Sequence, residues 1–382
     1  MYKVLDLFCG TGAISHGLFL GDSRFSTIGG IDINASACAT ARANNIHGTY
    51  VNRSISEITP SEFSLSVSAD AVDVIVGGPP CQGFSSIRPA RGNCLGDERN
   101  ELYRDFISYV SFFRPKVFLM ENVVGLVSYS NGSLLDEILD GFQRLGYDLD
   151  WQVLNSANYG VPQKRERLFI LGRDKSIYSS KKLCFPEPSH RFFGRVIGTK
   201  KKSHYIVNTS TGSPAITFNE ATNDLPSLNS GESARHYRSD PQNEYQEQMR
   251  LNSGVSLTLH AAANHSPKML EVIKHSGPSI TSLPKGLVTS GYSSCYSRLD
   301  ADKPCTTITV KFTSPASSKC IHPCDDRAIT PREAARVQGF EDSFIFCGSK
   351  TQIASQLGNA VPPPFGIAFG KKIASYLSGI SK

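Results

Sequence analysis

Short apolar runs alternate with helical stretches through the first half of this 382-residue chain, and that alternation leaves few folds open. Val4 to Phe8 is an apolar run that ends in a glycine turn, and Ala13 to Leu20 follows with helical character. Thr27 to Ile31 is a second strand ending at Asp32, after which Asn34 is placed to cap an alanine-rich helix from Ala35 to Ala43. Val72 to Val76, Val117 to Met120 and Leu168 to Leu171 are further buried strands. Between them Leu102, Phe106, Tyr109, Val110 and Phe113 recur at helical spacing before Pro115, and Leu135, Ile138, Leu139 and Phe142 mark another helix closed by Gly146. Such alternation predicts a parallel, doubly wound α/β sheet.

Around Asp174 the pattern breaks. From there to about Ser297 the chain is rich in Ser, Asn, His, Lys and Pro, with Lys200, Lys201 and Lys202 in a row and few apolar runs. The expected organisation is a first domain over 1–174, a smaller loop-rich domain over 175–297, and a return to the first over 298–382. In the last part Thr330-Pro331-Arg332-Glu333 has the form of a capping box with proline at the first helical position, and a final helix is expected from Pro364 to Leu377. No apolar run approaches membrane-spanning length. Ten cysteines in a chain this long, with no leader peptide read ahead of the first strand, point to free thiols in a reducing compartment rather than a disulfide scaffold. The formal charge of +6 is compatible with nucleic acid without requiring it. Cys320-Ile321-His322-Pro323-Cys324, with Cys347 beyond, resembles half a zinc site, but no second pair lies near it in the sequence, so no metal is expected.

Four segments carry chemistry. Asp6-Leu7-Phe8-Cys9-Gly10-Thr11-Gly12 runs from strand through glycine turn to helix, where a ligand can approach the backbone. Asp32, about twenty residues on, ends the next strand where a carboxylate can hold a ribose diol. A dinucleotide site wants a further glycine where this chain has Ser15, so the turn fits a single nucleoside better. Gly77-Gly78-Pro79-Pro80-Cys81-Gln82-Gly83-Phe84-Ser85 follows a buried strand, which sets Cys81 at the mouth of the cleft as a nucleophile rather than a small core residue. Glu121-Asn122-Val123 ends another strand; a carboxyl group beside an apolar wall is suited to holding a proton. In Gln163-Lys164-Arg165-Glu166-Arg167 the alternation of an extended segment gives Gln163, Arg165 and Arg167 one face, from which two guanidinium groups can grip a base oxygen or phosphate. Taken singly, the glutamate reads as a helix cap and the arginines as a solvated charge run.

Together, in this order, these segments resemble the DNA cytosine-5 methyltransferases, along the whole chain except about Asp174 to Ser297. Gly30-Ile31-Asp32, Arg99-Asn100-Glu101-Leu102, Arg332 to Phe340 and Gly358-Asn359-Ala360-Val361-Pro362 complete the resemblance. It implies a doubly wound, Rossmann-like methyltransferase domain that binds S-adenosylmethionine, with the smaller domain recognising the target in double-stranded DNA. Phe8, Gly10, Gly12, Asp32 and Ile33 would form the cofactor pocket, Pro80 and Leu102 would close it, and Asn359 and Val361 would reach the methionine portion. Where many relatives read the adenine amino group with Asp, this chain has Ser54. Cys81 would attack cytosine C6, Glu121 would hydrogen-bond the ring, and Arg165 and Arg167 would hold the ring oxygen and nearby phosphate. The glycine-rich Gln82 to Gly96 segment, with Arg88 and Arg91, would close over flipped-out DNA, and His190, Arg191, Arg195, Lys200 to Lys202, His260 and His265 are candidate DNA contacts. The resemblance is to free-standing bacterial or phage enzymes of the restriction–modification type, monomeric and cytoplasmic; a companion endonuclease is not inferable from the sequence. Three rivals share parts of the pattern. A transfer-RNA cytosine methyltransferase keeps the scaffold, an inactive DNA-binding relative keeps the fold, and an amino-group methyltransferase carries an aromatic residue after Pro-Pro where this chain has Cys81.

Overall fold

The computed structural model describes residues 1–45, 47–69, 71–80, 101–193, 205–206 and 211–380. Cys81, the Gln82 to Gly96 segment, Arg99, Arg195 and Lys200 to Lys202 lie outside the described residues. The chain forms two compact units. One comprises residues 1–159, 166–212 and 363–382; the other comprises 160–165 and 213–362.

The first unit is built on β1 (Tyr2–Leu7), α1 (Ala13–Gly21), β2 (Phe25–Asp32), α2 (Ala35–Asn44), β3 (Thr49–Asn52), α3 (Pro60–Val67), β4 (Val74–Gly77), α4 (Leu102–Phe113), β5 (Val117–Val123), the single turn α5 (Gly125–Ser128), α6 (Ser133–Arg144) and β6 (Tyr147–Asn155). The second unit contributes β7 (Gln163–Lys164), and the first resumes with β8 (Glu166–Asp174), β9 (His190–Arg191) and β10 (Tyr205–Ile206). One eight-stranded sheet has the order β10-β6-β8-β5-β4-β1-β2-β3. Every pairing from β5 to β3 is parallel, as expected; β8, however, runs antiparallel to both β5 and β6. The reason is the short link from Asn155 to Glu166, which carries a single 3₁₀ turn over Ser156–Tyr159 and the two-residue β7 but no crossover helix. Asn34 caps α2 as anticipated, its side chain accepting from the backbone N–H groups of Ser36 and Ala37. Phe118 stacks on Phe142 at 4.2 Å in the core, and Gly172 leaves room for the Phe118 ring.

The last helix, α12 (Pro363–Ser378), lies against α1. Gly17 on α1 faces Gly366 on α12, Gly21 faces Ile367 and Gly370 faces Leu18, so the two backbones touch. A Cβ on Gly17 would sit 2.3 Å from the Pro363 carbonyl oxygen, and one on Gly366 would sit 2.5 Å from that of Ile14. Gly17 is thus a helix-contact residue, not part of the cofactor turn.

The second unit holds β11 (Ser213–Pro214), α7 (Phe218–Thr222), α8 (Glu244–Met249), α9 (Pro267–Lys274), β12 (Cys305–Thr306), α10 (Pro331–Val337) and α11 (Lys350–Asn359). Its extent differs from the expected 175–297, because 298–362 clusters with 213–297 while 175–212 clusters with the sheet. The bonds explain this. β12 pairs with β7, and Arg336 of α10 binds Asp224 through both terminal nitrogens (2.6 and 3.0 Å) while its Nε binds Asp342 (2.9 Å). In the first unit Ser179 donates to the Tyr376 carbonyl (2.7 Å) and Ser189 N–H to the Asn158 carbonyl (3.0 Å). The capping box at Thr330 and Glu333 forms as read. Among the described residues no helix is long and apolar enough to cross a membrane.

The glycine contact predicts that Gly366→Val destabilises the protein by about 1–3 kcal/mol or more, since neither backbone can retreat. Urea unfolding measures it; a change below about 0.5 kcal/mol, the range of surface substitutions, would contradict the packing described.

Candidate active site

The cofactor turn begins where β1 ends. Phe8, Gly10 and Gly12 all have left-handed backbone angles (φ 54, 51 and 72°), so the chain doubles back before α1 starts. Gly12 N–H closes the turn on the Cys9 carbonyl (2.7 Å), and Gly10 N–H donates to Asp32 Oδ2 (2.8 Å). The other carboxylate oxygen of Asp32 accepts from Asn34 N–H (2.8 Å), and burial raises its pKa. Each oxygen keeps a second lone pair for a ligand hydroxyl. Asn52 of β3 fixes the following segment by donating to the Asp32 and Ile33 carbonyls (3.1 and 2.9 Å). Ile33 is 75% exposed, an uncovered apolar side chain next to the carboxylate, and a Cβ on Gly10 would meet nothing within 4 Å. Open space over a bent backbone, a carboxylate and an uncovered isoleucine fit a nucleoside. Ser54 is half-buried at the start of a 3₁₀ turn and makes no capping bond. Pro80 is exposed, and Leu102, the first residue of α4, is half-buried.

Beneath the turn lies Asp6, 1% exposed. Its Oδ2 accepts from the Ser15 hydroxyl (2.5 Å), while Oδ1 has no partner. Burial pushes this carboxyl up to about 8, against the lowering effect of the Ser15 bond.

The second locus joins the ends of β4 and β5. Asn122 donates to the Pro79 carbonyl (3.1 Å) and accepts from Val123 N–H (2.8 Å), which ties the Gly-Gly-Pro-Pro segment to β5. A Cβ on Gly78 would come within 2.9 Å of Glu121 Oε2, so glycine here is what admits the glutamate. Glu121 Oε1 pairs with Arg167 Nε at 2.8 Å, and both side chains are largely buried. Burial lowers the Arg167 pKa while Glu121 opposes the shift. The apolar wall expected around Glu121 is therefore only part of its setting; a guanidinium holds one oxygen. Cys81 is the next residue after Pro80 in the chain.

In the second unit, Arg165 is 2% exposed and donates to the carbonyls of Ile308 (3.2 Å) and Gly358 (3.1 Å). Gln163 is fully buried between the Ile308 N–H (2.7 Å) and the Gln338 side chain (2.7 Å). Gln163 and Arg165 are both buried, with half-buried Lys164 between them, and both face protein groups rather than an open groove. Asn359 is exposed at the end of α11, and Val361 is half-buried. One expected DNA contact is corrected: His260 is 2% exposed, with its ring nitrogens against the Thr330 hydroxyl and the Pro226 carbonyl. His265 is half-buried, and its Nε2 accepts from Ala328 N–H (3.1 Å). His190 is half-buried and Arg191 exposed. His322 Nδ1 accepts from the N–H groups of Cys324 (3.2 Å) and Asp325 (2.9 Å), so that nitrogen holds a turn.

The antiparallel β8 separates this sheet from an all-parallel dinucleotide-binding one, and with Asp32 answering the glycine turn the fold is that of the Rossmann-like, S-adenosylmethionine-dependent methyltransferases. The chain belongs to the C-5 cytosine-specific DNA methylase family, whose match covers residues 2–375. It is similar to type II methyltransferase M.DdeI of Desulfomicrobium norvegicum, at 32% identity over 99% of this chain and 90% of that protein. Type II methyltransferase M1.HphI of Haemophilus parahaemolyticus is also 32% identical, over 97% of this chain and 86% of its own. Among solved structures, a putative DNA modification methyltransferase encoded within an E. coli prophage has a TM-score of 0.76 at 25% identity, covering 99% of this chain and 100% of its own. The protein is thus an enzyme that methylates cytosine C5 in DNA, with S-adenosylmethionine as methyl donor.

Asp6 gives a pH prediction. An unfolded aspartate ionises near its ordinary value of 3.8, whereas folded Asp6 keeps its proton to about 8. The folded state then binds the extra proton in that window, so stability falls as pH rises through it and levels off above. The thermal midpoint of wild type should drop more steeply across the window than that of Asp6→Asn; parallel profiles would count against it.

Proposed function

We propose that Cys81 is the nucleophile of this methyltransferase and that Glu121, oriented by Arg167, stabilises the ring it attacks. The observation that carries the proposal is the Glu121–Arg167 pair at the β5 end, beside the Gly78-Pro79 segment that leads directly into Cys81. Cytosine C5 is a poor nucleophile. When the Cys81 thiolate bonds to C6, electron density shifts through the ring to C5, which can then accept a methyl group. Glu121 shares its carboxyl proton with N3, which offsets the negative charge that develops on the ring, and accepts a hydrogen bond from the exocyclic amino group. Loss of the C5 proton to water returns the electron pair, breaks the S–C6 bond and frees the thiolate. The target base must leave the duplex first, at a cost of a few kcal/mol.

S-adenosylmethionine supplies the electrophilic methyl group when bound. Asp32 would hold its ribose, Gly10 and Gly12 would admit it to the backbone, Phe8 and Ile33 would flank the adenine, and Ser54 would meet its amino group. Pro80 and Leu102 would cover the other side, and Asn359 and Val361 would meet the methionine portion. Arg167 acts by fixing Glu121. Arg165 acts by holding the Gly358 carbonyl, and so the segment that carries Asn359, and an N–H group not bonded to these carbonyls would hold the ring oxygen. The smaller unit reads a short target in double-stranded DNA. The type II relatives support an enzyme of the restriction–modification type, and we take it to work as a monomer in the bacterial cytoplasm.

Wild type with labelled S-adenosylmethionine should place label on C5 of duplex DNA at one short motif. Cys81→Ser should abolish transfer while still binding S-adenosylhomocysteine, and Glu121→Gln should lower the rate by about 10²–10³. Base-resolution sequencing of the DNA, with transfer RNA as a parallel substrate, reads all of these. Retained transfer in Cys81→Ser would remove the covalent step, and label on transfer RNA alone would overturn the substrate.

A further inference from the structure

The sheet unit has a second concavity, behind the cofactor turn. It lies between α1 and α2 over the first half of β2, with a volume of about 270 Å³, close to the lower end of ligand-pocket sizes. Its floor is Thr11 and Gly12, the back of the turn whose front answers Asp32. Phe19, Phe25 and Tyr50 supply aromatic walls, and Ser26, Asn44 and His47 supply polar ones. No lysine, arginine, aspartate or glutamate is among the described residues that line it.

One lining group is unexplained by the fold. Thr11 is 4% exposed, and its hydroxyl has no hydrogen-bond partner. A buried hydroxyl without a partner is destabilising, and a bound molecule that hydrogen-bonds to it would relieve that. Phe19, although apolar and aromatic, is 49% exposed on the cavity wall. Tyr50 is held in place by Asn45, whose side chain donates to its hydroxyl (3.0 Å).

We propose that this cavity is a second small-molecule site, for a neutral planar heteroaromatic of nucleobase size. Aromatic walls take the faces of such a ring, and the Thr11 hydroxyl and the amide and hydroxyl groups take its edge. The site is separate from the cofactor position, because Phe25 and Ser26 open β2 while Asp32 closes it. The two positions share Thr11 and Gly12. A ligand that holds these residues therefore changes cofactor affinity, and the cofactor changes ligand affinity by the same factor.

The test uses the full-length protein saturated with S-adenosylhomocysteine, which keeps free bases out of the cofactor position. Adenine, cytosine and thymine are titrated separately by calorimetry. At least one should bind, about tenfold more weakly in Thr11→Val, which keeps the shape and removes the hydroxyl, and not at all in Ser26→Trp, which fills the cavity away from the turn. S-adenosylhomocysteine affinity of Ser26→Trp, measured without base, should match wild type and so certify its fold. Absence of binding by all three bases to wild type overturns the proposal, as does equal binding by wild type and both variants. The readout is binding alone, so the outcome is independent of whether Cys81 is the nucleophile.

Discussion

Parallel register across five strands puts Val51, Ile31, Leu7, Gly77 and Met120 in one row at the carboxyl edge of the sheet. The residues that follow them are Asn52, Asp32, Phe8, Gly78 and Glu121. Every one is a candidate for cofactor or substrate contact, or lies against such a residue. Parallel strands deliver their ends to the same edge, so the chemistry needs no further alignment than the sheet already imposes. The finer adjustments are short-range bonds between neighbouring ends: Gly10 N–H to Asp32, Asn52 to the Asp32 carbonyl, Asn122 to the Pro79 carbonyl. Each is made by a residue already in the row or within three positions of it, so the edge stiffens itself.

That dependence explains which parts of the site could be read in advance. A buried strand announces itself by an apolar run, and its end by the first polar or glycine residue. Val117 to Met120 followed by Glu121 is such a case, and so is Thr27 to Ile31 followed by Asp32. The elements that went unread have weaker signals. β3 spans only Thr49–Asn52, and β6 mixes Asp148, Asp150 and Gln152 with its apolar positions because much of it is only half-buried. α3 had a legible start, since Thr59 and Glu62 form a capping box with Pro60 between them, but its eight residues show little periodicity. Arginine partners were least accessible. Arg165 binds Ile308 and Gly358, separated from it by 143 and 193 positions, and no local pattern encodes that.

The second unit shows the same limit from the other side. Residues 298–362 read as a return to the first domain because their helices and motifs are regular, whereas 213–297 looked like loops. Burial of charge decides the matter instead. Arg332 and Arg336 are fully buried with Asp342, and Arg336 also holds Asp224 far earlier in the chain. Arg327 pairs with Glu333 in similar seclusion; burial pushes that carboxyl up, yet the guanidinium and His322 outweigh it and leave it at about 2. A buried ion that lost its partner would cost about 3–5 kcal/mol, so segments joined in this way belong to one folding unit whatever their sequence texture.

Glycine carries three distinct duties in this chain, and the sequence distinguishes only the first. At Gly10 and Gly12 the requirement is conformational: the angles are left-handed, and at Gly10 the space is open. At Gly17 and Gly366 the angles are helical and the requirement is distance, because α1 and α12 meet backbone to backbone. At Gly78 the requirement is a side chain's room, since Glu121 occupies the position a Cβ would crowd. The glycine run that starts at Gly10 therefore serves two purposes within eight residues. Its first two members shape a ligand turn, while the third seats the helix that begins there. Substitutions at the first two would disturb the turn that faces Asp32, and at the third they would act through the helix contact. At Gly78 they would displace the Glu121 carboxylate while leaving the sheet intact, a difference that follows from what each missing Cβ would touch.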